Sequence, residues 1–123
     1  MLSKNIFDNC TGLVSVAIPK TVTSIEKEAF YNCNSLATIA LPSNVNSIGS
    51  CAFWNCNNLV EVVVEMERPV SIVANTFQNR SNAILRVPKG SKEIYEASTY
   101  WNEFKKIMEE GENLSPSLTF ADA

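Results

Sequence analysis

The chain has 123 residues, a formal net charge of −3 and only 19% charged residues. Its Lys and Arg residues nowhere form a run, which argues against nucleic acid or an anionic membrane surface as partner, since both call for clustered cations. It contains no histidine, so the commonest general base and metal ligand are missing.

A hydrophobic content of 46% is ample for one packed domain. In chain order, Met1-Leu2-Ser3-Lys4-Asn5 holds no hydrophobic signal-peptide segment, which implies either an intracellular chain or a mature or truncated piece of a longer one. No later stretch is apolar for long enough to make a transmembrane helix.

From Ile6 a repeat begins. Phe7, Phe30 and Phe53 stand 23 residues apart, and each is followed by Asn (Asn9, Asn32, Asn55), Cys (Cys10, Cys33, Cys56) and Leu (Leu13, Leu36, Leu59). Val16, Ile39 and Val62 come next, then Ile18, Leu41 and Val64. Self-similarity at this period implies a stack of coils, each hiding its apolar side against its neighbours. Val16 and Ile18 alternate with Ser15 and Ala17, the period-2 signature of a strand. Pro19 and Pro42, which cannot donate to a ladder, end the first two strands. Thr21-Val22-Thr23-Ser24-Ile25 reads as a second short extended segment or a tight turn. Glu26 to Phe30 has room for one helical or 3₁₀ turn.

The fourth copy is altered. Phe77 lies 24 residues after Phe53, and Leu85-Arg86-Val87-Pro88 supplies the strand. Beyond it, Lys89-Gly90 signals a turn and Ser91 an N-cap for a short helix with Ile94, Tyr95 and Ala97. Thr99 is placed to cap a second helix carrying Trp101, Phe104 and Ile107 or Met108 on one face, with Gly111 ending it. The expected organisation is therefore a solenoid of about four coils over 1–88, a helical C-terminal cap over 89–110, and a mobile tail over 111–123.

The unit Ala-Phe-x-Asn-Cys-x-x-Leu-x-x-Ile-x-Leu-Pro-x-x-Val-x-x-Ile resembles the BspA-like branch of leucine-rich repeats. The ending Leu85-Arg86-Val87-Pro88-Lys89-Gly90-Ser91, with Tyr95, Trp101, Phe104 and Ile107, resembles the C-terminal cap of many bacterial members. The resemblance covers residues 5 to 109. It implies a right-handed solenoid with a short parallel sheet along one side. It also implies a bacterial cell-surface or secreted protein acting in adhesion or protein binding. Arg80 departs from the pattern, standing where the fourth cysteine would fall.

The cysteine column invites three readings: a small buried apolar filler, a metal site, or a disulfide such as Cys33–Cys56. Zinc favours closer Cys pairs than Cys51 and Cys56 offer, so the filler is preferred. The asparagine column, continued by Asn79, reads as a ladder bonding turn backbone within and between coils. The residues after the phenylalanines, notably Tyr31 and Trp54, are expected to lie side by side on the surface, either as binding anchors or as shields for the core. By analogy with leucine-rich repeats, the outward sheet positions Ser15, Ala17, Thr38, Ala40, Glu61, Val63 and Arg86 are the other protein-binding candidates. No phosphate loop or nucleophile–base pair is present, so an enzyme is not expected, nor any cofactor. Cys51, outside the ladder, is the sole foothold for catalysis. The expected function is a non-catalytic binding or adhesion module whose partner is a protein such as a host surface or matrix protein, with no membrane insertion. A structural spacer, or a repeat unit that self-assembles through an uncapped N-terminal coil, is the alternative.

Overall fold

The computed structural model describes residues 10–110. The expectations for Phe7, Asn9, Gly111 and the tail fall outside the described residues. Among the described residues seven strands form: β1 (Ser15–Ala17), β2 (Ser24–Ile25), β3 (Thr38–Leu41), β4 (Ser47–Ile48), β5 (Glu61–Val64), β6 (Ile84–Val87) and β7 (Lys106–Glu109). Five of them make one all-parallel sheet in the order β1-β3-β5-β6-β7, while β2 and β4 make a second, two-stranded parallel sheet.

The register follows the repeat. Val16 pairs with Ile39, Ile39 with Val62, Val62 with Leu85, and Leu85 with Ile107. Residues that match in sequence thus lie side by side, and every parallel connection spans one repeat. β1, β3 and β6 are each followed by a proline whose carbonyl closes a turn: Pro19 accepts from the Val22 N–H, Pro42 from Val45 and Pro88 from Ser91. The short second sheet settles the Thr21–Ile25 alternative in favour of extended backbone. Ile72 continues the buried column of Ile25 and Ile48.

The core is a set of columns running through the stack. Phe30, Phe53 and Phe77 are fully buried and lie ring on ring, with centroids 5.1 and 4.8 Å apart and planes 7° and 6° from parallel. Trp101 and Phe104 close the column, each 5.5 Å from Phe77 in a tilted or edge-on pose. Such offset and edge contacts add about 0.5–1.5 kcal/mol each beyond area burial. Adjacent coils approach closely at Gly49, where a Cβ would stand 2.4 Å from the Lys27 backbone nitrogen. Only glycine permits that approach.

The asparagines adopt a backbone few other residues tolerate. Asn32 and Asn55 have φ of 66° and 61°, in the left-handed region. The Asn55 amide donates to Asn32 Oδ1 and its Oδ1 accepts from Asn57 Nδ2. Asn79 keeps a ladder role with a different backbone, φ −92°, donating to the Leu59 and Asn57 carbonyls.

The cap requires correction. Residues 89–110 do not hold two helices. One α-helix, α1 (Lys92–Glu96), is followed by a 3₁₀ turn at Trp101–Glu103 and then by strand β7. The steps of three through Trp101, Phe104 and Ile107 read as a helical face, but the same steps mark Cys33, Leu36 and Ile39 in a repeat unit. Pairing with β6 wins because it satisfies ladder groups that a sheet edge leaves open. The large sheet therefore has five rungs, one more than the four coils expected. Ser91 does not cap α1 with its side chain; its hydroxyl donates to the Glu67 carbonyl of the preceding coil at 2.9 Å. Tyr95 and Trp101 anchor this coil in the same way, Tyr95 OH to the Met66 carbonyl at 2.8 Å and Trp101 Nε1 to the Val70 carbonyl at 2.7 Å.

Candidate binding surfaces

The alternation along each strand places two rows on the outer face of the large sheet. One runs Ser15, Thr38, Glu61, Ile84, Lys106 and the other Ala17, Ala40, Val63, Arg86, Met108. All seven sheet-face positions expected from the sequence are here. Ser15, Ala17 and Ala40 are exposed, whereas Thr38, Glu61, Val63 and Arg86 are half-buried.

Ile84, Lys106 and Met108 were missed. Ile84 sits just outside the Leu-x-Val run used to place β6, and the other two lay in a segment read as helix. Met108 is 1% exposed despite its place beside Arg86 in the row.

Arg86 Nε donates to Glu61 Oε2 at 2.5 Å across the neighbouring strand. The pair is the diagonal contact of two adjacent strands, and it cancels the two charges on the inner part of the face. The β1–β3 end carries no charge in either row. At the start of the strands Val14 and Val60 are 57% and 52% exposed, aligned through backbone bonds from Ala37 N to Val14 O and from Val60 N to Ala37 O. At the other end two shallow clefts adjoin. Ala17, Ala40 and Pro42 help line one and Val63, Arg86 and Glu110 the other, and Glu65 belongs to both.

The turns form a second surface, the ridge that follows each phenylalanine. Tyr31 and Trp54 emerge there from matching positions on adjacent coils, joined by the bond from Asn32 N to Trp54 O at 2.7 Å. Both are half-buried, with part of their surface in water.

The cysteines are all free thiols, with Cys33 and Cys56 buried and Cys10 and Cys51 half-buried. Cys33 and Cys56 precede the turn that each closes with its own carbonyl, to Leu36 and Leu59, and the Cys56 thiol donates to the Phe30 carbonyl at 3.3 Å. Burial pushes the Cys56 thiol up from 9.0 to about 12, and the neighbouring Cys33 adds to the rise. A thiol so held stays protonated and is a poor nucleophile or metal ligand. Among the described residues no group of three or more Cys, Asp or Glu side chains is placed to hold a metal ion. No helix there is long and apolar enough to cross a membrane.

Arg80, in place of the fourth cysteine, ties the last coil down. Its guanidinium donates to Glu103 Oε1 at 2.9 and 2.6 Å and to the Ala74 and Phe77 carbonyls at 2.5 and 3.0 Å, and it lies over the Tyr100 ring. A buried thiol could make none of these contacts to the fifth rung.

Searches of curated proteins and of solved structures returned no match. A scan of protein families matched the BspA type leucine-rich repeat region, in 6 copies, over residues 1–110. That span takes in every coil and the turn, helix and strand that follow Pro88. The chain belongs to the BspA-type leucine-rich repeat family, whose repeats commonly serve as non-catalytic protein-interaction modules.

Proposed function

We propose that this chain is a segment of a right-handed leucine-rich-repeat solenoid that binds a protein partner through the outer face of its large sheet. The setting proposed is the surface or secretions of a bacterium, and the role is adhesion to a host surface or matrix protein. The observation that carries this reading is the character of the face. It is five strands wide, built of small side chains at β1 and β3, self-neutralised at Glu61–Arg86, and furrowed by two adjoining clefts. A flat surface with few charges suits a partner that lies across it and is held chiefly by side-chain packing.

Immobilised matrix proteins in a solid-phase assay test the reading. Saturable binding to at least one, lost in Ala40→Arg and kept in Trp54→Ala, supports it. Absence of binding across the panel, or binding indifferent to Ala40→Arg, defeats it.

A structural role has one observation in its favour. Leu13, Val16 and Ile18 are only partly buried, whereas their column partners Leu36, Ile39 and Leu41 are at most 2% exposed. Stacking of a further coil or a second copy on β1 would bury them. Light scattering over a wide concentration range checks the second-copy version: a constant monomer mass rules it out.

A further inference from the structure

The geometry points to the ridge beside the phenylalanine column as a binding platform for a neutral glycan, separate from the sheet face and independent of the protein-binding reading.

Four features converge there. The first is charge. Residues 31–36 and 54–60 contain no charged side chain, although one residue in five of the whole chain is charged, and on the next coil the one charge between Gln78 and Asn82, Arg80, is paired with Glu103. A protein or nucleic-acid partner drawn in by electrostatics would find nothing to hold, whereas an uncharged ligand is not repelled or left with unpaired charge.

The second is the state of the aromatic polar groups. The buried aromatics spend theirs inside the protein, Tyr95 OH on Met66 and Trp101 Nε1 on Val70. Tyr31 OH and Trp54 Nε1 have no hydrogen-bond partner among the described residues, and both rings are half-exposed. Each therefore offers an apolar ring surface with a free donor at its edge, the combination that suits a ligand with one apolar and one polar side.

The third is the condition of the amides. In four exposed amides one end is fixed by a hydrogen bond and the other is left to solvent. Asn57 Nδ2 is held by Asn55 Oδ1, Gln78 Oε1 by the Asn55 backbone N–H, Asn58 Nδ2 by the Asn34 carbonyl and Asn82 Nδ2 by Asn79 Oδ1. That leaves Asn57 Oδ1, Asn58 Oδ1 and Asn82 Oδ1 as acceptors and Gln78 Nε2 as a donor. Because their amide ends are already immobilised, little side-chain entropy remains to be lost when a ligand binds.

The fourth is pitch. Matching positions recur at the spacing of parallel strands, about 4.8 Å. A sugar ring spans about one such step, so successive rings of a chain can meet successive coils. Sugars present hydroxyls that both donate and accept, with an apolar C–H face. Fixed amides beside open aromatic rings complement both.

Native affinity electrophoresis of the 123-residue chain through gels containing hydroxyethylcellulose, galactomannan or soluble yeast mannan tests this, with heparin as the charged comparator. The expected result is retardation by at least one neutral polymer and none by heparin. Trp54→Ala and Tyr31→Ala should each weaken retardation about tenfold or more, while Trp54→Phe, which keeps a ring, stays within about threefold of the parent. Trp101 is 1% exposed, so its emission reports that each variant remains folded, and any emission change on adding the polymer comes from Trp54. No retardation in any neutral polymer overturns the proposal. So does retardation that Trp54→Ala leaves unchanged in a folded chain, or retardation by heparin alone.

Discussion

Replacing Phe53 by alanine removes the middle ring of the stack. That ring is fully buried and lies 5.1 Å from Phe30 and 4.8 Å from Phe77, nearly parallel to both. A buried Phe→Ala change costs about 3–5 kcal/mol through lost burial and a residual cavity. Two ring contacts at about 0.5–1.5 kcal/mol each account for part of that sum. Phe53→Leu, which keeps most of the apolar volume and loses the ring contacts, should therefore cost less, about 1–3 kcal/mol. Domains of this size are stable by only about 5–15 kcal/mol, so the alanine variant should lie close to unfolding. In a stack where each coil touches only its neighbours, the break should also uncouple the two sides. Urea denaturation followed by far-UV circular dichroism and Trp emission measures the first effect, and hydrogen exchange at β3 and β6 the second. A loss below about 1 kcal/mol, with the parent's cooperativity retained, would refute the view that the aromatic column carries the fold.

The asparagine ladder separates into backbone and side-chain parts. Asn55→Ala should cost about 2–3 kcal/mol, from left-handed strain plus the lost amide bonds, and Asn55→Gly about 1 kcal/mol less, because glycine adopts φ near 61° freely. Equal losses in urea titrations would sink the backbone explanation. High pH should weaken the fold. The Cys56 thiol is raised to about 12 when folded, chiefly by burial, and burial raises the Tyr95 phenol as well. A raised folded pKa means the native state keeps a proton the unfolded chain releases, so this stability is complete below pH 9.0 and is lost as pH climbs towards 12. Unfolding free energies from urea titrations at pH 7, 9, 10 and 11 should fall, by up to about 1.4 kcal/mol per pH unit for Cys56 alone, with the midpoints falling in step, and Cys56→Ala should flatten the fall. A midpoint flat to pH 11 contradicts this. Arg80→Met should free the last coil first: amides of β7 should exchange about tenfold faster while those of β3 keep their protection. Uniform loss across the sheet would show that Arg80 is no local tie.

Much of this could be read from residues alone. The Phe, Leu and Ile columns, the asparagine ladder and the proline stops each follow from a side chain recurring every 23 positions. All seven outward sheet residues were placed by alternation, because a strand leaves its side chains only two faces.

The errors came where local pattern has two meanings. Steps of three at Trp101, Phe104 and Ile107 fit a helix and a repeat unit equally well, and no local term distinguishes them. The open edge of β6 does, since its backbone groups need partners and residues 106–109 can reach them. Arg80 looked like a broken column in the sequence, but its contacts with Glu103 and Tyr100 exist only once the fifth rung is in place. The same holds for the ridge. Composition showed Asn, Gln, Tyr and Trp side by side, but which amide ends are occupied was decided by the folded coil, through bonds within a turn at Asn57 and Asn82 and between coils at Gln78 and Asn58. The sequence by itself determined the coil and its inward columns, because a repeat dictates its own stacking. Tertiary structure alone decided how the array closes and which ends of Gln78 and Asn58 remain free, because both depend on partners 20 or more residues away.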